Sequence, residues 1–429
     1  MSFQQGLSGL NATSKSLQII GNNIANANTF GAKVARAEFS DMYAAALSGT
    51  GSNTIGIGTN LAAVSQQFTQ GNISTTENPM DLAMNGAGFF QLTDGKSPVS
   101  YSRNGQFKID RDGFIVNNSG LQLMGYAAND EGVIQPGQAV SLQLPTGGIS
   151  PLPTSTIALE MNLDSRKADI TPGAPMINFN NATTYHNATS LTLYDAKGQE
   201  VAVSYYFQKV PTAVDPAIPD GTGTWNVYAT VNGNPISVDP ADPQPITTLV
   251  FPPDGSVPTS PAMPFNFDVP ASINAAGTST LAIPGIQLDL SATTQFGSTF
   301  SVTNIAQNGY AAGQLTKIAF DATGIVNATY SNGQMRPAGQ LVVANFRNPQ
   351  GLQPAGDNGW ERTFASGDAV TGVPGDGSMG VLQSGALEES NIDLTGELVN
   401  MITAQRIYQA NAQTIKTQDQ VLQTLVNLC

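Results

Sequence analysis

The first thirty residues carry a regular apolar stripe on an otherwise polar background. Large apolar side chains recur there every seven residues, and two more occupy intervening turns: Phe3, Leu10, Leu17 and Ile24, then Leu7 and Ile20. This spacing follows the 3.6-residue period of an amphipathic helix. The only charged residue in the segment is Lys15. We therefore predict an N-terminal helix within residues 1–30 that needs an apolar partner.

The C-terminal end shows a second stripe at the same spacing. Its main row is Leu394, Met401, Tyr408, Ile415 and Leu422, and its partner row is Leu398, Gln405, Ala412, Asp419 and Val426. Residues 397–429 contain neither Gly nor Pro, which predicts one uninterrupted helix of about 50 Å at 1.5 Å per residue. Because the partner row includes Gln405 and Asp419, we expect this helix to pack among several neighbours rather than in a dry two-stranded coil.

The middle of the chain has the two-residue alternation of β-strands. Apolar runs such as QFKID, FIVN and LQLMGY are separated by the hairpin-type dipeptides Asp94-Gly95, Asn104-Gly105, Asp112-Gly113 and Ser119-Gly120. A similar stretch begins at Leu315. Between them, residues 146–308 are rich in Pro, Thr, Ser and Asn and alternate again, which predicts a second β domain inserted into the first.

Composition narrows the class of protein. All 26 prolines lie between Pro79 and Pro374, so both ends are free of helix breakers. Charged residues make up only 11% of the chain, against roughly 25% in typical soluble domains. The net charge of -14 and the lack of a basic cluster argue against nucleic-acid binding. No apolar run is long enough for a membrane helix, and no classical signal peptide is present.

Candidate chemistry is sparse. His186 is the only histidine and Cys429 the only cysteine, so an intramolecular disulfide, a thiol metal site and a serine triad are not indicated. Asp110-Arg111-Asp112-Gly113 lacks the spaced ligands of a calcium loop and predicts a β-turn. Glu388 and Glu389 are adjacent, so their carboxylates should point apart rather than form an acid pair. We predict no enzymatic activity, no cofactor and no metal.

Several motifs resemble the flagellar rod and hook protein family. They are NNIANANTFGAKVARAEF from Asn22, NPMDLAMNGAGFFQL from Asn78, YSRNGQFKIDRDGFIVNNSGLQLMGY from Tyr101, and ALEESNIDLTGELVNMITAQRIYQANAQTIKTQDQVLQTLVNL from Ala386. The last run is most similar to the hook members of the family. Ala32 and Cys429 depart from the usual residues. The family-motif positions are Asn22, Asn23, Asn26, Asn28, Gly31, Gln405, Arg406, Gln409 and Asn411.

The resemblance implies a multidomain α+β subunit of a hollow helical polymer. Residues 1–30 and 390–429 would form a coiled-coil-like inner domain, 31–76 and 376–389 a connector, 77–145 and 309–375 a first, mainly antiparallel β domain, and 146–308 an outer β domain. The polymerisation seam would comprise Phe3, Leu7, Leu10, Leu17, Ile24, Leu394, Leu398, Met401, Tyr408, Ile415 and Leu422.

The implied role is that of a hook subunit, a curved extracellular tube that transmits motor torque as a universal joint. The implied partners are further copies of the chain, the distal rod, the hook cap, the hook-filament junction proteins and the export apparatus, without nucleic acid or membrane insertion. Export would proceed without a cleaved signal peptide. A distal rod subunit, or a secreted adhesin that exposes its β domains, is the alternative.

Overall fold

The computed structural model describes residues 2–43, 56–129, 131–171, 177–212, 219–237, 239 and 242–426. They form two compact units. The first contains the described residues up to 146, together with 316–329 and those from 335 onward. The second contains the described residues of 147–315 together with 330–334. Cys429 lies outside the described residues.

The N-terminal part of the first unit begins with a helix and continues as short strands. In chain order these are α1 (Ser2–Ala25), β1 (Ala35–Tyr43), β2 (Gly56–Gln66), β3 (Ile73–Thr75), β4 (Leu82–Asn85), β5 (Phe89–Thr93), β6 (Ser100–Ser102), β7 (Lys108–Ile109), β8 (Ile115–Val116), β9 (Gln122–Ala127) and β10 (Val140–Ser141). Strands β1 and β2 pair antiparallel as a long hairpin. The segment expected to be a connector therefore contains regular structure.

The second unit is built from strands. They are β11 (Thr156–Asn162), β12 (Asn187–Tyr194), β13 (Glu200–Val210), β14 (Gly223–Val231), β15 (Asn234–Pro235), β16 (Thr247–Phe251), β17 (Phe265–Val269), β18 (Ile283–Asp289) and β19 (Ser301–Gln307). One sheet has the order β17-β18-β11-β19 and the other contains β12-β13-β14-β15 with β16 on β14. Alternate side chains of both sheets, among them Leu159, Tyr205 and Trp225, share one buried cluster, so this unit is a β-sandwich.

The C-terminal part of the first unit returns to the strands of the N-terminal part. It comprises β20 (Leu315–Phe320), β21 (Ile325–Tyr330), β22 (Met335–Leu341), β23 (Val343–Asn345), a 3-10 turn (Pro349–Gly351), β24 (Gln353–Gly356), β25 (Gly359–Glu361), β26 (Val370–Gly372), β27 (Val381–Ser384), β28 (Ala386–Glu388) and α2 (Leu394–Val426). Strand β22 pairs with β9, β27 with β4, and β28 with β3. Both ends of the chain are thus needed to complete this unit.

Most of the predicted turns are confirmed, and one is wrong. Gly95, Gly113 and Gly120 have positive φ and lie between consecutive paired strands, as the hairpin dipeptides predict. Gly105 is different, because β6 and β7 do not pair with each other. A Cβ at Gly105 would lie 1.6 Å from the carbonyl oxygen of Leu82, so this glycine permits a close backbone approach instead of a turn.

The expected multidomain α+β architecture is confirmed, with helices at both ends and a β-rich body between them. The helix bounds differ slightly from the expected ones, because α1 ends at Ala25 and α2 begins at Leu394. Within the described residues, no helix is long and apolar enough to cross a membrane.

Candidate functional site: the terminal helix pair and its anchor

Helices α1 and α2 pack side by side in opposite directions. Near the start of α1, Gly6 faces Ile415, and Gly9 faces Asn411. Near the end of α1, the Nδ2 group of Asn23 donates a hydrogen bond to Oε2 of Glu397 at 3.2 Å. Residue numbers therefore rise along one helix as they fall along the other, so the pair is antiparallel.

The face of α1 toward α2 is made mainly of small and polar side chains. Its members follow alternating steps of three and four residues: Gly6, Gly9, Thr13, Ser16, Ile20 and Asn23. A Cβ at Gly6 would lie 3.0 Å from Cγ1 of Ile415, and one at Gly9 would lie 2.8 Å from Nδ2 of Asn411. The distance between packed helices depends on the side chains at their contact, so these glycines let the two backbones approach closely.

The face of α2 toward α1 differs from the second row that the sequence suggested. Between residues 401 and 424, all of which the structure describes, the residues that are buried or half-buried are Met401, Ala404, Asn411, Ala412, Ile415 and Gln418. Leu398, Gln405 and Asp419 are exposed. The second row of the α2 contact face therefore contains Ala404 and Asn411 in place of Leu398 and Gln405. Small and polar side chains fit against the glycines of α1, whereas leucines would hold the helices further apart.

Apart from Ile20, which is part of this contact, the large apolar stripe of α1 lies beside it. Phe3 and Leu7 are 46% and 45% exposed, whereas Leu10, Leu17 and Ile24 are half-buried and Ile20 is buried. The two rows are offset by one residue, which corresponds to about 100° around a helix of 3.6 residues per turn. The stripe therefore flanks the pair and presents apolar surface that the chain covers only in part.

Several large apolar side chains of α2 also remain uncovered. Those predicted for the seam are Leu394, Leu398, Tyr408 and Leu422, and they are joined by Val399, Ile402, Ile407 and Val421. These side chains point in different directions around the helix, and a helix that is apolar on several sides is usually covered by partners. The side chains between α1 and α2 are therefore packed against each other, whereas the outer faces of the two helices expose large apolar side chains.

A third side of α1 is hydrogen-bonded to the β1–β2 hairpin. Gln5 donates to the carbonyl oxygen of Gly56 at 2.6 Å, and Ser8 both donates to the carbonyl oxygen of Thr59 and accepts from its amide. Asn23 likewise bonds both backbone groups of Ala35, at 2.8 and 3.0 Å. These pairs satisfy backbone groups of the hairpin and hold it along the helix.

The motif positions serve different purposes. Asn26 donates from its side chain to the carbonyl oxygen of Asn22 at the end of α1, and Asn28 is exposed. Gly31 has φ +71°, and its amide donates to the carbonyl oxygen of Glu388 at 2.8 Å. A Cβ there would lie 2.5 Å from the amide nitrogen of Asn104, so only glycine fits. On α2, Asn411 lies against Gly9, whereas the structure places three others on exposed surface: Gln405, Arg406 and Gln409.

A buried group of charges anchors both helices to the β body, and the sequence did not predict it. Nζ of Lys33 lies 2.5 Å from Oε1 of Glu388, and Nη1 of Arg103 lies 3.2 Å from Oε2. The side chains of Lys33 and Glu388 are fully buried and that of Arg103 nearly so. Oε1 of Glu388 also accepts from the amide of Gly71 at 3.0 Å, and Lys33 donates to the carbonyl oxygen of Thr69.

These contacts join segments far apart in the chain. Lys33 follows α1, Arg103 follows β6, and Glu388 ends β28 shortly before α2. Burial lowers the pKa of Lys33, while the attraction of Glu388 opposes that shift. Burial likewise lowers the pKa of Arg103. Lys33 and Arg103 share the single carboxylate of Glu388, so loss of that carboxylate would leave two buried cations without a counter-charge.

Asp110, His186 and Glu388 form structural hydrogen bonds. The side chain of Asp110 accepts from the amides of Asp112 and Phe114, which confirms the predicted turn. Nδ1 of His186 accepts from the amide of Lys209 at 3.0 Å, so Nε2 carries the proton and donates to the carbonyl oxygen of Ala168. Glu389 is exposed while Glu388 is buried, so the two carboxylates point apart as expected. In the described ranges, no three His, Cys, Asp or Glu side chains are arranged to hold a metal ion.

Comparison with known protein families gives matches along most of the chain. The model described as flagella basal body rod protein matches residues 3–33, and that of the flagellar hook protein FlgE/F/G D1 domain matches 83–158. The flagellar basal body protein FlaE D2 domain matches 162–310, and the C-terminal model of the flagellar basal body rod FlgEFG proteins matches 383–428.

Relatives similar over their full length are also known. Flagellar hook protein FlgE of Escherichia coli K12 is 40% identical over 430 residues, covering 100% of both chains. The FlgE protein of Borreliella burgdorferi is 32% identical and covers 100% of this chain and 99% of its own. Among solved structures, the Helicobacter pylori flagellar hook protein FlgE2 has a similar fold, with a TM-score of 0.50 and 14% identity over 73% of this chain and 100% of that one.

Proposed function

Because the chain belongs to the flagellar hook protein family, we propose that it is a structural subunit of the bacterial flagellar hook that polymerises into a curved, hollow helical tube. The observation that supports polymerisation is that different side chains of the helix pair form the contact within one chain and the exposed apolar surface. The contact within one chain uses small side chains, while large apolar side chains flank it and remain partly or wholly exposed. Such faces would be covered by neighbouring subunits, because apolar area removed from water is stabilising.

We assign the predicted seam residues to two kinds of contact. Met401 and Ile415 serve the contact between α1 and α2. The contacts between subunits would use Phe3, Leu7, Leu10, Leu17, Ile24, Leu394, Leu398, Tyr408 and Leu422.

The tube would act as a universal joint that transmits motor torque while it bends. The low content of charged residues supports this role. Desolvated ion pairs between subunits would favour one geometry, whereas Asn, Gln, Ser and Thr can exchange partners or bridge through water at low cost. The terminal helices would hold the lattice while contacts of the outer β domain slide.

Further partners and the location follow from family membership and belong to the proposal. The tube would contact the distal rod at one end and the hook cap and hook-filament junction proteins at the other. The subunit would reach the cell exterior through the flagellar export apparatus, without a cleaved signal peptide. No enzymatic step is part of this role. The alternative roles as a rod subunit or an adhesin are not favoured, because the full-length relatives are hook proteins.

Electron microscopy of the purified chain under polymerising conditions tests the proposal. We expect curved tubes; straight tubes would support a rod subunit, and a chain that binds surfaces without polymerising would support an adhesin. Leu17→Asp introduces a charge into the apolar stripe and should abolish tubes. The control is Gln18→Asp, which introduces the same charge at the neighbouring, exposed residue and should leave tube formation intact. Equal assembly of both variants would contradict the role given to the stripe.

A further inference from the structure

The helix pair and the hairpin enclose an apolar groove near the end of α1. The groove has a volume of about 280 Å³ and lies between α1, β1 and α2. Its apolar lining includes Ile19, Ile20, Phe39, Ala404 and Ile407. Ile407 is 49% exposed and Phe39 also remains exposed, although both are large apolar side chains. The groove is therefore an apolar surface that the chain itself leaves open.

The opposite end of the same helix pair carries an apolar tip, consisting of Phe3, Leu7 and Leu422. The antiparallel pairing sets Gly6 against Ile415, so α2 residues beyond about 418 extend past the start of α1. Leu422 lies on this overhang and is 54% exposed. Phe3 and Leu7 are four residues apart and occupy neighbouring positions on one side of α1.

We propose that the groove receives the apolar tip of a second copy of this chain, a contact that rests on the proposed polymerisation. The tip cannot reach the groove of its own chain. Leu7 and Ile20 are thirteen positions apart on one straight helix, which is about 20 Å at 1.5 Å per residue. Because tip and groove are different surfaces, their contact is head-to-tail, and a head-to-tail contact that does not close generates a filament.

Size and charge both favour this occupant. An apolar cavity of about 150 Å³ accommodates a benzene ring, so the groove has room for a phenyl ring together with a smaller aliphatic side chain. The first turn of α1 contains no acidic residue, so the partial positive charge of its N-terminus is not offset there. The lining of the groove includes the carboxylate of Glu397 and the guanidinium of Arg36, and Arg36 is paired with Glu38 at 3.1 Å, so Glu397 gives the groove its negative charge. An incoming α1 would bring its positive end toward that carboxylate.

Cysteine cross-linking between two chains tests the contact in the assembled protein. In a Cys429→Ser background, one chain carries Leu7→Cys and the other Ile407→Cys, and the mixture is oxidised with a copper catalyst in air after polymerisation. We expect a disulfide-linked dimer from the mixture, and a ladder of higher oligomers when both cysteines are in one chain. The matched control pairs Ile407→Cys with Phe364→Cys, a fully exposed aromatic position elsewhere in the first unit, and should give at most a tenth of the dimer.

The outcomes separate the contact from the proposed function. Tubes without the cross-link, or with equal cross-linking of the control, would overturn the contact and leave polymerisation standing. If the Cys429→Ser parent chain forms no tubes, the proposed function fails and the contact fails with it. A cross-linked dimer in tubes, absent from the control, supports the proposal.

Discussion

Replacing Glu388 by glutamine should destabilise the first unit more than any single change to the cations that surround it. The carboxylate accepts from Lys33, Arg103 and the amide of Gly71, and it is fully buried. Glu388→Gln keeps the size of the side chain but leaves two buried cations without a counter-charge. Removing one member of a buried ion pair costs about 3–5 kcal/mol, because the remaining charge is desolvated and uncompensated.

Lys33→Met provides the comparison that tests this account of charge. It removes one of the two cations and leaves Arg103 and Glu388 as a balanced pair, so the loss is mainly that of hydrogen bonds to Glu388 and to the carbonyl oxygen of Thr69. We expect a cost of about 1–3 kcal/mol. A third variant, Glu38→Gln, breaks the exposed Arg36–Glu38 pair and should cost less than about 1 kcal/mol.

Urea unfolding monitored by tryptophan fluorescence can follow each unit separately, because the chain has two tryptophans and one lies in each unit. In a Trp225→Phe background, Trp360 reports on the first unit. With a slope of about 3 kcal/mol per molar urea, Glu388→Gln should lower the midpoint by roughly 1–1.7 M. Trp225, observed in a Trp360→Phe background, should keep its midpoint. The reasoning is refuted if Lys33→Met costs as much as Glu388→Gln, or if Glu388→Gln costs no more than Glu38→Gln.

Three further predictions concern the contact between α1 and α2, the β1–β2 hairpin and the β-sandwich. Gly9→Leu should separate the helices and lower the helical circular dichroism of the chain, whereas Gly21→Leu, where a Cβ has no neighbour within 4 Å, should not. Asn23→Ala removes both bonds to the backbone of Ala35 and should speed hydrogen exchange of that amide about tenfold or more; Asn22→Ala, on the exposed side, is the control. Burial lowers the pKa of His186 below its usual 6.5; the hydrogen bond to the carbonyl oxygen of Ala168 opposes this shift, Lys167 and Lys209 add to it, and Asp169 opposes it. The folded state therefore binds fewer protons than the unfolded one between the lowered pKa and about 6.5, so the stability of the sandwich should fall as the pH drops from about 6.5 toward the lowered pKa and should level off below it. His186→Asn should flatten the melting temperature between pH 7 and 5, and an unchanged slope would contradict this assignment.

The sequence predicted the helices and most hairpins because each depends on local pattern. Heptad stripes free of Gly and Pro from residue 397 onward are sufficient to identify α2 as one helix. Turns such as Asp112-Gly113 depend on a glycine with positive φ between two short strands. Gly105 was misassigned because a close-approach glycine and a turn glycine look the same in sequence. Its neighbour, Leu82, is distant in the chain.

The anchor of buried charges could not be predicted for a related reason. Its three members are 70 and 285 residues apart along the chain, and each occurs in a locally ordinary context. The only available signal was the resemblance itself, because Lys33, Arg103 and Glu388 each lie within one of the motifs that carry it. Each of these motifs also contains exposed charges, such as Arg36, Arg111 and Glu389, so the motif alone does not show which charge is buried.

The helix pair shows that an apolar stripe need not be covered by the helix that packs beside it in the same chain. Periodicity identifies the side chains that must leave water, but it does not specify which surface covers them. On α1 the apolar stripe and the intrachain contact share only Ile20. The rest of the contact row consists of glycine, threonine, serine and asparagine, which a search for hydrophobic repeats does not detect. In a chain that polymerises, this separation has a physical advantage. A contact with small side chains can form within one subunit without using the large apolar side chains, so these remain available for contacts between subunits, where burial of their area provides the free energy of assembly.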